Sequence, residues 1–248
     1  MSYAHIIEVF LHVDRPPHPK FTTTMTEDFV RYRNEFFRKY TLKSIQEQTA
    51  QEFQVFLQTG ETWGHLVEAE TWPENVKVCR HWGEREYLAL DADFVVITRI
   101  DSDDLFHRTA IAEVKRVAEM YLDPSKRVTL AFKKRLCWSM QNGFITRHDK
   151  PTSSCYTHIF PKAIYHNWPL FMEQHFTTHG KSGDVYGVKL PDDLMCIVKH
   201  EHNWSNVKQG IAISPADDAW LRKYRVKPGY IFDPAKVKTI LRDFGVEL

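Results

Sequence analysis

Short apolar segments alternate with helical patterns through the first half of the chain, and this alternation constrains the fold more than any other feature. Candidate strands cover residues 6–13, 53–58, 76–79, 94–99 and 128–132. Between them, apolar residues recur at helical spacing over residues 29–40, 84–90 and 111–121. Strands that alternate with helices are typical of a mostly parallel sheet covered by helices. The sequence therefore predicts an α/β fold.

The second half of the chain follows a different pattern. Residues 136–147 form two alternating runs around Asn142-Gly143, a dipeptide typical of a β-hairpin. The next strand is predicted only at 194–199, and Asp233, Pro234 and Gly245 mark the ends of a terminal helix. We expect one domain over residues 1–248, with a regular half, 1–134, and an irregular lobe, 135–248.

Composition limits the classes of protein. The chain has 33 basic and 32 acidic side chains among 248 residues, which argues against binding nucleic acid through phosphate neutralisation. The four cysteines form no CxxC pair, so neither a zinc ribbon nor a thioredoxin motif is predicted. The sequence has neither an apolar stretch of about 20 residues nor a basic segment before its first apolar run. We expect a soluble, cytoplasmic protein.

Three carboxylates directly follow a predicted strand. Asp101, Asp103 and Asp104 lie in the segment TRIDSDDL, residues 98–105. Open α/β sheets bind ligands at the carboxyl ends of their strands, and a cation best explains like charges this close together. Carboxylates are preferred ligands of Mg²⁺ and Mn²⁺, and such ions often bind protein carboxylates and phosphate oxygens of a ligand at the same time. The pattern favours a metal–diphosphate site, and the alternative is that these acids cap a helix N-terminus.

A second polar cluster follows the strand predicted at 194–199. Residues 199–206, KHEHNWSN, place two histidines and two asparagines in one segment. The imidazole of His200 can complete a Mn²⁺ site, and Asn203 or Asn206 can bind phosphate or sugar hydroxyls. The alternative is that His200 is an ordinary histidine satisfied within the protein.

Glycine-rich phosphate loops are missing from the sequence. Gly180 and Gly183 fit neither a GxGxxG nor a Walker A frame, and no GxSxG motif occurs. Arg99, beside the acidic segment, either binds a diphosphate or forms a surface ion pair.

Three segments resemble one family. Residues 33–49 are similar to a helix that ends in Ser-x-x-x-Gln-Thr, residues 98–104 to the motif T-R-[LI]-D-x-D-D, and residues 198–206 to a late H-x-x-N-x-S-N element. These motifs are those of GT-A nucleotide-sugar glycosyltransferases, and within them of the bacterial rhamnosyltransferase-like family. They occur in the family's order and span residues 30–206.

The resemblance implies a GT-A-like fold and metal-dependent transfer of a hexosyl or deoxyhexosyl group. The donor is a nucleotide diphosphate sugar, and the acceptor is a hydroxyl of a saccharide or another molecule. The resemblance also implies that Asp101 contacts the ribose or the metal ion, that Asp103 is the main metal ligand, and that His200 completes the site with support from Asp104. Residues 1–134 then bind the donor and residues 135–248 the acceptor. From the sequence, Asp103→Ala should abolish turnover without unfolding the protein.

The chain also departs from the family pattern. Its first strand lacks the expected Thr-Arg pair, and residues 137–189 match no family segment, so the donor sugar and the acceptor do not follow. An inverting transfer needs a carboxylate within about 2.6 to 3.2 Å of the acceptor hydroxyl. Glu173 is the first candidate for this base, and Asp184, Asp192 and Asp193 are the alternates.

Two other functions can use the same residues. One is a metal-dependent phosphoesterase, which hydrolyses phosphate esters without a sugar donor. The other is a noncatalytic module that binds sugar or nucleic acid. A nucleic acid acceptor is less favoured because the charges balance.

Overall fold

The computed structural model describes residues 1–12, 26–132, 134–149, 155–176, 188–200, 231 and 233–248. The strands are β1 (Tyr3–His12), β2 (Gln54–Thr59), β3 (Val76–Cys79), β4 (Phe94–Asp101), β5 (Leu105–Phe106), β6 (Val128–Ala131), β7 (Lys134–Ser139), β8 (Phe144–Asp149), β9 (Tyr156–Pro161), β10 (Val188–Lys189) and β11 (Met195–Lys199). The helices are α1 (Glu27–Phe36), α2 (Lys43–Gln46), α3 (Gly64–Glu68), α4 (Glu84–Leu88), α5 (Ala110–Glu119), α6 (Lys162–Tyr165), α7 (Trp168–Phe176) and α8 (Pro234–Arg242). A π-helical segment, Phe37–Leu42, joins α1 to α2.

A seven-stranded sheet forms the centre of the fold. Its strand order is β10-β6-β9-β4-β1-β2-β3, and β1 to β4 are mutually parallel. β9 is antiparallel to both of its neighbours, so the sheet is mostly parallel. This arrangement confirms the predicted mixed α/β fold and the strands predicted in the first half. The carboxyl ends of β1, β2 and β4 meet at one edge of the sheet.

Helices cover both faces of this sheet because side chains alternate along its strands. Ile7, Val9 and Leu11 of β1 pack in the core on one face, together with residues of the α1–α2 segment and α5. Ile6 lies in the core on the other face, with residues of α4, α6 and α7. Among the described helices, none is both long and apolar enough to cross a membrane.

The region between the hairpin and β11 is more regular than the sequence analysis predicts. β9 lies in the middle of the main sheet, between β4 and β6, and α6 and α7 follow it. The expectation that strands and helices are missing from this region is wrong because buried polar residues disguise β9. His158 is fully buried, with Nδ1 2.8 Å from Thr129 Oγ1. Residues 1–134 and 135–248 thus contribute strands to one sheet.

A second sheet packs beside the first, with the order β5-β11-β7-β8. The predicted hairpin is confirmed as β7 and β8, and Gly143 in its turn has a φ of +67°. The predicted terminal helix is confirmed as α8: the Asp233 carboxylate accepts hydrogen bonds from the Ala235 and Lys236 amides. Val237 and Leu241 pack this helix against the second sheet.

His5 is a buried histidine of the main sheet that should make stability depend on pH. His5 is enclosed, with Nε2 2.8 Å from Thr98 Oγ1, and burial followed by the charge of Lys115 lowers its pKa to about 3. An unfolded histidine titrates near pH 6.5, so between these values the unfolded chain binds a proton that the folded chain does not. Stability should therefore fall as the pH falls, by up to about 1.4 kcal/mol per pH unit from His5 alone. Urea unfolding across this range measures the slope.

A His5→Asn variant should show a shallower pH dependence than the natural protein, while the exposed His65→Asn should keep the full slope. Equal slopes in all three proteins would show that His5 does not carry this dependence.

Candidate functional site

Polar residues collect where β4 leaves the main sheet. Asp101 is the last residue of β4 and lies opposite Phe10 of β1. The chain then turns sharply, and the Asp104 amide donates to the Asp101 carbonyl over 3.1 Å. This turn keeps the acidic segment at the carboxyl end of β4, the position at which open α/β sheets bind ligands.

Asp101, Asp104 and Cys155 form a group whose ligand atoms all lie within 4.8 Å of one another. Cys155 directly precedes β9, and its thiol lies 3.8 Å from Asp104 Oδ2. The other oxygen of Asp104 accepts a 3.1 Å hydrogen bond from the Val198 amide of β11. Both sheets therefore fix Asp104, and the group can hold a metal ion.

The charges in this group favour a bound cation. Burial, followed by the charges of Asp103 and Asp101, raises the pKa of Asp104 well above its usual value. Burial, followed by the charges of Asp101 and Asp104, also raises the pKa of the Cys155 thiol. A divalent cation relieves this repulsion. Two carboxylates suit Mg²⁺ or Mn²⁺.

Asp103 faces a different set of partners. Its Oδ2 lies 2.8 Å from Arg33 Nη1 of α1 and 3.3 Å from His200 Nε2, and Arg33 also donates to Ser102 Oγ. Burial alone would raise the pKa of Asp103, but Arg33 and then His200 hold it well below its usual range. The protein itself thus neutralises the charge of Asp103.

His200 is held by aromatic residues as well as by Asp103. Its ring stacks on Phe36 with centroids 4.3 Å apart, and Nδ1 lies 3.2 Å from the Tyr32 hydroxyl. When the ring is neutral and Nε2–H donates to the carboxylate, Nδ1 accepts a hydrogen bond from the hydroxyl. Both ring nitrogens of His200 are therefore within hydrogen-bonding distance of protein groups.

The remaining predicted residues divide into two sets. Asn203, Asn206 and Asp184 lie outside the described residues. Glu173 lies on the exposed side of α7, and its role as a base stays a prediction. The alternates Asp192 and Asp193 form ion pairs with Lys134 and Arg147.

Arg99 of β4 is a buried cation at the same edge. Only 8% of it is exposed, its Nη1 donates to the Tyr156 hydroxyl over 3.3 Å, and its guanidinium lies 4.2 Å from the centre of the Phe10 ring. Nε is buried without a hydrogen-bond partner, and no carboxylate of the described residues forms an ion pair with the guanidinium. Burial alone would lower the pKa of Arg99, but Tyr156 and Asp101 raise it, so the side chain stays charged.

A buried pair that the sequence did not predict, Glu8 and His175, lies beneath this edge. Glu8 Oε2 lies 2.8 Å from His175 Nε2 of α7, and both residues are almost fully enclosed. The Tyr87 hydroxyl donates to Glu8 Oε1 over 3.0 Å, and the Gln58 amide donates to the same oxygen over 3.3 Å. Burial opposes ionisation of Glu8, but His175 and Arg99 lower its pKa. The signal in the sequence was a charged residue that interrupts an apolar strand.

An unusual backbone segment follows β3. His81, Trp82 and Gly83 have φ values of 49°, 63° and 73°, which is the left-handed region. Non-glycine residues adopt this region at a conformational cost that is often found at functional sites. Trp82 is 37% exposed, and its ring lies 5.7 Å from the ring of Phe10. An aromatic surface thus borders the guanidinium of Arg99.

Comparisons with known proteins give a distant similarity in structure. No protein-family model matches the chain, and no curated protein sequence matches it. Residues 1–349 of Staphylococcus aureus TarS share 13% identity with a TM-score of 0.38, covering 97% of this chain and 70% of that one. A longer S. aureus TarS structure shares 12% identity with a TM-score of 0.37, covering 98% of this chain and 43% of that one. HddC from Yersinia pseudotuberculosis shares 13% identity with a TM-score of 0.33, covering 80% of this chain and 90% of that one. This degree of similarity does not bear on activity.

Proposed function

We propose that this protein is a metal-dependent glycosyltransferase that moves a hexosyl or deoxyhexosyl group from a nucleotide diphosphate sugar to an acceptor hydroxyl. One observation carries the proposal. The same edge of the sheet has a group of carboxylates suited to a cation and a buried arginine that has no carboxylate partner among the described residues. A metal-bound diphosphate satisfies both, because its cation meets the carboxylates and its oxygens meet the guanidinium. The family motifs at residues 33–49, 98–104 and 198–206 support a sugar as the transferred group.

In this proposal Asp101 and Asp104 hold Mn²⁺ or Mg²⁺. The cation supplies charge stabilisation for the leaving diphosphate. Asp103 has the role of holding Arg33 and His200 in place, since both already lie against its carboxylate. This assignment gives Asp104 the ligand role that the family resemblance implies for Asp103.

Arg99 and the aromatic residues beside it bind the nucleotide. The guanidinium donates hydrogen bonds to diphosphate oxygens, which gain negative charge as the bond to the sugar breaks. Tyr156 and Phe10 hold Arg99 in place from two sides. Trp82 and Phe10 offer ring faces on which a nucleobase stacks. Residues 1–134 thus provide most donor contacts, and the strands of residues 135–248 border the acceptor side.

Glu173 is the proposed general base. It would accept the proton of the acceptor hydroxyl as the new glycosidic bond forms, which requires a carboxylate within hydrogen-bond reach. Asn203 and Asn206 are proposed to bind phosphate or sugar hydroxyls.

Arg99→Gln should weaken the binding of nucleoside diphosphates by about 10- to 100-fold, because a hydrogen bond from a charged donor is lost. Calorimetric titration with UDP, GDP, ADP and dTDP in the presence of Mn²⁺ measures the effect. Arg116→Gln is the matched control, since Arg116 lies on the exposed side of α5 in an ion pair with Glu113. Equal affinities in the two variants would remove Arg99 from the donor site.

A thermal-shift panel of nucleoside diphosphates and their sugars, with and without Mn²⁺, tests the proposed function itself. We expect one nucleotide to stabilise the protein, more strongly with Mn²⁺ than without it. Stabilisation by no nucleotide would contradict the proposal. Hydrolysis of simple phosphate esters without a sugar donor would instead identify a phosphoesterase.

A further inference from the structure

A polar cleft of about 650 Å³ opens at the opposite edge of the main sheet. Phe53 and Gln54 at the start of β2 line it, and so do Asn75 and Lys77 at the start of β3. Because β2 and β3 are parallel, this is the edge of their amino ends. The cleft is therefore separate from the acidic group, which lies where β4 ends. Its volume is in the range of small-molecule sites, about 300 to 1,000 Å³.

Carboxamides dominate the lining of the cleft. Four of its seven residues are Gln46, Gln51, Gln54 and Asn75. A carboxamide donates through its nitrogen and accepts through its oxygen, which matches the two roles of a hydroxyl group.

Charge and apolar surface argue against other ligands. The charged residues among the described lining are Glu74 and Lys77, whose charges cancel, and this described lining has no arginine for phosphate. Phe53 is 6% exposed, so it presents little apolar surface to a ligand. The lining therefore suits a neutral ligand rich in hydroxyl groups.

Two of the carboxamides are prepared to accept hydrogen bonds. Gln54 Oε1 is buried and has no partner among the described residues, although a buried acceptor without a partner is destabilising. The side-chain nitrogen of Gln51 donates to the Gln46 carbonyl over 2.9 Å and to the Gln48 carbonyl over 2.5 Å. This fixes the Gln51 amide and leaves its oxygen as the acceptor for a ligand. A ligand O–H group is a suitable donor for the Gln51 oxygen, and also for the Gln54 oxygen when that side chain turns toward the cleft.

We propose that this cleft binds a neutral saccharide, and that it does so independently of the donor site. The hydroxyl groups of the saccharide donate to Gln54 and Gln51 and accept from the nitrogens of Gln54 and Asn75.

Side-chain amide signals in ¹H–¹⁵N NMR spectra test this binding directly, without nucleotide or metal ion. The probes are maltotriose, cellotriose and triacetylchitotriose at millimolar concentration, with inorganic phosphate as an anionic comparison. We expect at least one trisaccharide to shift the signals of Gln54 and Asn75, and phosphate to leave them unchanged. Because the donor site is not involved, this outcome does not depend on the proposed glycosyl transfer.

Gln54→Leu keeps the volume of the side chain and removes its hydrogen bonds, so it should weaken binding roughly tenfold or more. Gln141→Leu, on the exposed hairpin turn, is the control and should bind as the natural protein does. If Gln54→Leu does not fold, Asn75→Leu replaces it, since the side-chain nitrogen of Asn75 is the other proposed donor to the saccharide. The proposal is overturned if no trisaccharide shifts these signals, or if the folded variant binds as tightly as the control.

Discussion

Replacement of Asp103 by alanine should lower the free energy of unfolding by about 3 to 5 kcal/mol, the range for a buried ion pair that loses one partner. The pair is well enclosed, since the Arg33 and Asp103 side chains are each 12% exposed. Without the carboxylate, the guanidinium of Arg33 stays buried against Ser102, and His200 loses the acceptor at its Nε2. This result differs from the expectation based on sequence, in which the loss of a repelling carboxylate leaves the fold intact. Because Arg33 on α1 is a counterion of Asp103, removal of the carboxylate should lower the free energy of unfolding and not leave it unchanged.

Urea unfolding of Asp103→Ala, Arg33→Met and the double variant measures the coupling between the two side chains. The double variant should be less destabilised than the sum of the single variants, because it removes both charges and each single variant leaves one charge buried without its partner. Asp91→Ala provides the exposed comparison, since Asp91 is 97% exposed in its pair with Lys162, and it should change stability by less than about 1 kcal/mol. A fully stable Asp103→Ala protein would contradict this account of Asp103.

Asp104→Asn and Asp101→Asn should each weaken Mn²⁺ binding by at least roughly 100-fold and reduce sugar transfer accordingly. Asparagine keeps the shape of the side chain and the oxygen that accepts from the Val198 amide, so Asp104→Asn should fold normally. Burial disfavours the charged form of Asp104, and the charges of Asp103 and then Asp101 disfavour it further. These three causes raise its pKa. The neutral amide should therefore preserve or increase stability at neutral pH.

Asp103 and Asp104 are adjacent in sequence, but their substitutions should have different effects on stability and on metal binding. Substitution of Asp103 should lower stability, whereas substitution of Asp104 should weaken metal binding and spare the fold. Mn²⁺ affinity is measured by electron paramagnetic resonance, and stability by urea unfolding, on the same preparations. Asp91→Asn is the matched control for both measurements. If Asp104→Asn binds Mn²⁺ as tightly as the control, the metal ligands lie elsewhere.

Local sequence patterns predicted most of the regular elements. The apolar strands of the first half, the Asn142-Gly143 hairpin and the terminal helix with Asp233 at its start depend on short-range backbone preferences, and those preferences were met. β9 was missed because its burial depends on neighbours far along the chain. Its His158 is satisfied by Thr129, a partner that no local pattern reveals.

In the candidate site, too, local features could be predicted from the sequence and long-range contacts could not. The position of the acidic segment at the end of β4 followed from the apolar run before it. Its partners did not, since Arg33 and Cys155 reach the segment only through the packing of α1 and the insertion of β9. A sequence motif shows which carboxylates are present. Their charge states depend on side chains that lie near them only in the folded protein.

The central claim is that this edge of the sheet binds a divalent cation together with a nucleoside diphosphate. Titration of Mn²⁺, followed by electron paramagnetic resonance with and without UDP, GDP, ADP or dTDP, tests it most directly. Mn²⁺ and nucleotide also form complexes in solution. The same titration with the Asp104→Asn variant, which should bind Mn²⁺ weakly, gives this background so that it can be subtracted. We predict that one nucleotide tightens Mn²⁺ binding by about tenfold or more, and that Mn²⁺ tightens the binding of that nucleotide by the same factor. If Mn²⁺ binds no more tightly with any of the four nucleotides than without them, the claim is wrong.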